Sequence, residues 1–161
     1  MTWWENNKTA DITYTFLPAI HWSNRGAFDL NNYLWGSWMI QTNDGFALYF
    51  AGDSAYGNHF KQIGSIFPII NVALMPIGPE QPHTFTQSSH MCAKEAVEAF
   101  TDLGAINFIP MHWGTFRLGT DSFIDPINSL LDAWKSLATN AQKQLTLAKF
   151  GQAIMPANAN K

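Results

Sequence analysis

Three side chains in this sequence have the type and the placing to hold a metal ion. Asp53 directly follows the apolar run FALYFA (residues 46–51) and its Gly52, and His112 directly follows INFIP (residues 106–110) and Met111. His21 comes just after DITYTFLPAI (residues 11–20). In open α/β sheets ligands gather beyond the carboxyl ends of the strands, so residues at matching strand ends converge in space. Two imidazoles and a carboxylate suit zinc or a similar divalent ion. A carboxylate can also bridge two metals about 3.5–4 Å apart, the spacing of two-metal hydrolases. Each residue has a plainer reading as well. Asp53 can cap the helix after it, His90 can cap the helix that follows it, and His21 and His112 can be packed histidines bonded to backbone. Compact metal signatures such as CxxC or HExxH are absent.

The elements that must position these residues are legible as a pattern. Residues 11–20 alternate, with Ile12, Tyr14 and Phe16 on one side, and read as a strand stopped by Pro18. Residues 34–41 and 46–51 form a hairpin about the turn Asn43-Asp44-Gly45. A short helix is expected near 57–66, a buried strand over 70–75, and a long proline-rich loop to about residue 90. Residues 92–103 carry a helical stripe, Ala93, Ala96, Val97 and Phe100, with Gly104 as its stop. A strand over 106–110 follows, then a helix capped by Asp125 with Pro126 at its first position, then a strand over 145–150. Its stripe is Ile127, Leu130, Leu131, Trp134 and Leu137. A hairpin followed by alternating strands and helices is an α/β fold with mixed strand pairing.

Composition narrows the function classes. Of 161 residues, 47% are apolar and 13% charged, against a usual charged share of about 25%. That balance suits strands buried on both faces or a surface that expects a partner. The net charge is −3 and no Lys/Arg cluster exists, which argues against nucleic acid. The single cysteine, Cys92, can form no internal disulfide and fits a reducing compartment. No signal peptide or apolar stretch of membrane-spanning length is visible, so the expected location is cytoplasmic, with peripheral membrane contact as its extension. His59 and His83 carry no motif and read as solvent-facing, Cys92 reads as a packing residue, and Trp22, Trp35, Trp38 and Trp113 read as core.

Six blocks occur in the order of one family: Pro18-Ala19-Ile20-His21-Trp22-Ser23, Leu34-Trp35-Gly36-Ser37-Trp38, Phe50-Ala51-Gly52-Asp53-Ser54, Met75-Pro76-Ile77-Gly78, Ser89-His90 with Glu95-Ala96-Val97, and His112-Trp113-Gly114-Thr115-Phe116. From about Trp3 to about Trp134 the chain resembles the C-terminal half of N-acylphosphatidylethanolamine-hydrolysing phospholipase D and its bacterial relatives, hydrolases of the metallo-β-lactamase fold. The resemblance implies the C-terminal half of an αββα sandwich, a mixed sheet with helices on one side. It implies zinc as cofactor, with His21, Asp53 and His112 as ligands and Asp53 bridging two metals. It gives His90, with Asp53, a part in the reaction itself, in substrate positioning or proton transfer on a phosphodiester or phospholipid-like substrate.

The family's main ligand block, His-x-His-x-Asp-His, is absent from this sequence, so four of seven expected ligands are missing. The expected domain content is thus one partial domain over 1–161, whose enzymatic competence alone stays open. Half a face-to-face sandwich exposes an apolar sheet face. The expected partner is therefore a second copy of the chain, or the missing N-terminal half. The alternative function is a non-catalytic truncated half-domain that self-associates through that face.

Overall fold

A computed structural model describes residues 1–137, 142–149 and 151–154. Seven strands form one sheet in sequence order: β1 (Asn6–Lys8), β2 (Ile12–Leu17), β3 (Ser37–Thr42), β4 (Ala47–Phe50), β5 (Val72–Pro76), β6 (Asn107–Met111) and β7 (Gln144–Leu145). The first four pair antiparallel and the last four parallel, so β4 belongs to both regimes. The change follows from the connections. β1 to β2 and β3 to β4 return antiparallel through short turns and β2 to β3 through a longer loop over residues 18–36, whereas β4 to β5 and β5 to β6 each cross over through helix. The mixed α/β sheet expected from the sequence is thus the one observed.

Four helices are present among the described residues: α1 (His59–Ile66), α2 (His83–Thr86), α3 (Ala93–Leu103) and α4 (Asp125–Leu137). Helix α3 is central, packing on β5 with α1 and α4 beside it. The expected stripe Ala93, Ala96, Val97 and Phe100 is its buried face, and Gly104 ends it in the left-handed conformation at φ 70°. Against that stripe lies one face of the sheet, with Met39, Tyr49, Ala73 and Phe108 fully buried side by side.

The opposite face carries a second row. Phe16, Trp38, Phe50, Leu74 and Ile109 are successive cross-strand partners over five strands. These residues stand outside the core cluster, and Phe50 is 39% exposed. Strand side chains alternate between faces, so both rows are apolar because the sequence is apolar at consecutive positions.

Several local expectations need correction. The proline-rich loop contains α2, a single turn that no periodicity could announce. Strand β1 is three polar, exposed residues whose pairing with β2 is a backbone matter. The tail strand is only Gln144–Leu145, and residue 150 lies outside the described residues. Asp125 is the first helical residue rather than the cap before it, and its carboxylate accepts the Ser122 amide at 2.7 Å. Leu131, placed in the apolar stripe, is 39% exposed, and Trp22, placed in the core, is 47% exposed.

Candidate metal centre

Asp53 lies three residues beyond β4, after Gly52 at φ 63°. A side chain at Gly52 would meet the Gly36 carbonyl at 2.9 Å and would resist the left-handed turn, so glycine is what swings Asp53 off the sheet. His21 is delivered by the extension of β2 through Pro18-Ala19-Ile20. That segment is stapled down: Trp35 Nε1 donates to the Ala19 carbonyl at 3.0 Å, Ser37 Oγ donates to Pro18 at 3.1 Å, and the Ile20 amide donates to Ser54 Oγ at 3.0 Å. The Ala55 amide donates back to Ile20 at 2.8 Å, which locks the His21 loop to the Asp53 loop. His90 comes from the end of α2, its amide held by the Thr86 carbonyl at 2.9 Å. His112 follows β6 at φ 61°, a left-handed conformation that costs a non-glycine residue about 1–3 kcal/mol.

All four converge. His21 Nε2 is 3.3 Å and His112 Nε2 is 3.4 Å from Asp53 Oδ2, and His90 Nδ1 is 2.9 Å from Asp53 Oδ1. His21, Asp53 and His90 each offer a donor atom, and these atoms lie mutually within 4.8 Å. His21 Nε2, His90 Nδ1 and Asp53 Oδ1 are sealed from solvent without a well-aligned hydrogen bond, although each of the two nitrogens lies at ion-pair distance of an Asp53 oxygen. The far nitrogens of two rings are occupied. His21 Nδ1 donates to the Trp22 carbonyl at 2.8 Å and His112 Nδ1 to the Gly78 carbonyl at 3.0 Å. A backbone carbonyl accepts and never donates, so Nδ1 carries a proton and Nε2 is left with the lone pair that takes a metal ion or, in its absence, the proton donated to Asp53. Two such lone pairs face carboxylate oxygens, an arrangement that calls for positive charge between them. The donor set therefore fits a divalent cation, with both imidazoles oriented by outer-shell backbone.

The electrostatics agree. Burial acts to raise the Asp53 carboxyl, but the three imidazoles, His112 foremost, outweigh it and hold it well below the carboxylate range. For His21, burial lowers the pKa, and Asp53 together with the Trp22 carbonyl raises it further than that. For His112 the hydrogen bond to Asp53 is the largest influence, and the net shift is upward despite burial.

The site opens into a cleft of about 660 Å³ that has all four residues in its wall and Phe85 and Leu118 at its rim. A second groove of about 770 Å³ runs from His112 along Met111, Trp113 and Phe116.

Of the two histidines read as solvent-facing, one is buried and the other is only partly exposed. His59 is 7% exposed under the site, with Nε2 3.3 Å from Ser54 Oγ. Burial depresses its pKa to about 4, from 6.5 unfolded. As pH falls below 6.5, the unfolded chain takes a proton that the folded chain refuses until about pH 4, so stability is lost through that window. Between pH 7.5 and 4.5 the wild type is expected to lose about 2.5 kcal/mol more than His59→Gln. Equal losses in urea titrations at the two pH values would contradict a neutral, buried imidazole.

His83 is the other. Its Nε2 is 3.1 Å from Glu95 Oε1, and Cys92 completes a second group of metal-capable atoms within 4.8 Å. The sequence hid this group because α2, which supplies His83, has no periodic signature. Burial pushes the Cys92 thiol up to about 11, so it is no ready nucleophile, in keeping with the inert part expected of it.

Comparison with known proteins follows the same line. Over 138 residues the chain is 36% identical to N-acyl-phosphatidylethanolamine-hydrolyzing phospholipase D 1 of Caenorhabditis elegans, covering 83% of this chain and 38% of that protein. It is 33% identical over 138 residues to the mitochondrial N-acyl-phosphatidylethanolamine-hydrolyzing phospholipase D of Saccharomyces cerevisiae, covering 81% and 29%. The chain thus spans well under half the length of these relatives. Its fold is similar to that of a metallo hydrolase from the archaeon Ignicoccus hospitalis, with TM-score 0.70 at 21% identity, covering 96% of this chain and 58% of that one. Residues 1–113 match the family model of the β-lactamase superfamily domain. That match takes in all four converging residues, and the chain belongs to the β-lactamase superfamily, in the fold shared with its metallo-hydrolases.

Proposed function

We propose that this chain carries part of the metal site of a zinc-dependent phosphodiester hydrolase of the phospholipase D type. The observation that supports the reading most is the convergence of His21, His90 and His112 on the single carboxylate of Asp53. In this reading His21, Asp53 and His112 hold zinc, which supplies a Lewis acid for the phosphoryl oxygens and a lowered pKa for water. His21 and His112 keep their Nε2 lone pairs directed inward because backbone carbonyls hold the opposite nitrogens. His90 donates or accepts a proton at Nδ1, within reach of Asp53 and of a group lying in the cleft. The groove along Met111, Trp113 and Phe116 suits an apolar arm of the substrate. Three protein ligands are what a catalytic zinc usually has, which supports one metal on this chain rather than two.

The test is direct. Zinc content and hydrolysis of bis-nitrophenyl phosphate are measured for the chain and for Asp53→Ala. Metal-dependent turnover that disappears in the variant supports the reading, and a chain that binds no zinc and turns nothing over refutes it.

The second sheet face, where Phe50 is exposed, Trp38, Leu74 and Ile109 are half-buried and Phe16 is buried, favours a second reading, in which the chain self-associates face to face. Burying apolar area is worth about 25 cal/mol per Å², so a contiguous five-strand face gains by pairing with a second copy or with another sheet-bearing segment. A dimer or larger species is expected by light scattering at micromolar concentration. A monodisperse monomer would rule this pairing out.

A further inference from the structure

We propose that His83, Cys92 and Glu95 form a second metal site, separate from the Asp53 centre, that takes a borderline-soft divalent cation such as zinc. The ligand atoms, a histidine nitrogen, the cysteine sulfur and a glutamate oxygen, lie within 4.8 Å of one another. Around a tetrahedral zinc with bonds of about 2.0–2.3 Å, neighbouring ligand atoms sit roughly 3.3–3.7 Å apart. The 3.1 Å between His83 Nε2 and Glu95 Oε1 is close to that spacing.

Two features separate this cluster from an ordinary helix cap. Glu95 divides its oxygens: Oε2 accepts the Cys92 amide at 3.1 Å in the capping box, which leaves Oε1 directed at His83. His83 Nε2 is shut off from solvent and makes no aligned hydrogen bond, although the carboxylate oxygen is near. The Cys92 sulfur also serves that box by accepting from the Glu95 backbone, but a cap has no use for the histidine. A thiolate, an imidazole and a carboxylate form a zinc donor set, with one position open to water. On binding, the thiol releases its proton to solvent.

Such a site has a mechanical consequence. Helix α2 is one turn long, and the metal would tie its His83 to the first turn of α3. The Thr86 carbonyl of the same turn holds the His90 amide, so the second metal steadies the wall that carries His90.

The experiment uses cobalt(II) as the probe and Asp53→Ala to remove the first centre. Asp53→Ala is expected to retain about one equivalent of cobalt and to show thiolate-to-cobalt charge-transfer absorption. Adding Cys92→Ser or His83→Ala should remove that absorption and the retained equivalent. Serine is itself a favoured N-cap, so the first replacement keeps the helix start intact, and the partly exposed His83 provides an independent variant. Asp53→Ala that binds no cobalt, or binds it without sulfur absorption, overturns the proposal. If the Asp53 centre itself holds no metal, the wild type shows the same single equivalent and the same absorption, so the two failures are told apart.

Discussion

Asp53→Asn is expected to lower zinc affinity by at least about 100-fold and to abolish metal-dependent turnover while leaving the fold intact. The substitution preserves shape and removes one negative charge. Losing an outer-shell partner typically costs about 10–100-fold in metal affinity, and Asp53 is proposed as a ligand, so the loss should reach or exceed the top of that range. A readout independent of activity exists. His21 and His112 are raised in pKa by the Asp53 carboxylate against burial that lowers them. Without the charge only the backbone carbonyls oppose burial, so both rings should titrate lower in Asp53→Asn than in the metal-free wild type when followed by NMR. Unchanged imidazole titration together with unchanged zinc affinity would remove Asp53 from the centre of the site.

Phe100→Ala is expected to cost about 3–5 kcal/mol, a large part of the roughly 5–15 kcal/mol that stabilises a typical domain. Phe100 is fully buried on α3, where its ring lies 5.2 Å from Phe108 of β6 and 5.5 Å from Trp134 of α4, with those two 5.7 Å apart. This three-way aromatic contact is where sheet, central helix and outer helix meet. Truncation leaves a cavity that close-packed neighbours on three elements cannot collapse into. Urea unfolding should show a lower midpoint with the slope unchanged. A loss under about 1 kcal/mol would mean that α4 does not pack as described.

The two cases differ in how far residue order alone could show them. The Phe100 stripe follows from helical spacing, and the strands that carry Asp53 and His112 follow from short apolar runs between turns. Those are local signals, set by which side chains recur on one face. His59 illustrates the opposite. Nothing in its neighbourhood marks it as buried, and it is buried because α1 docks beneath the loop that carries Ser54. Helix α2 illustrates it again, since four residues are too few to show a period.

Residue order by itself determined the mixed α/β architecture, the α3 stripe and the candidacy of His21, Asp53 and His112, whereas His90 became a candidate only through the family resemblance. Periodicity and strand-end position are properties of the chain read one segment at a time. Only the tertiary structure decided that all four meet on one carboxylate, that backbone carbonyls orient two of the rings, and that His83 reaches Glu95. Those contacts join segments 32 to 59 residues apart in the first case and a one-turn helix to its neighbour in the last, and they depend on how the sheet twists and the helices dock. The direction of a side chain at a strand end is likewise set by a backbone turn, Gly52 at φ 63° and His112 at φ 61°, that only three-dimensional packing enforces.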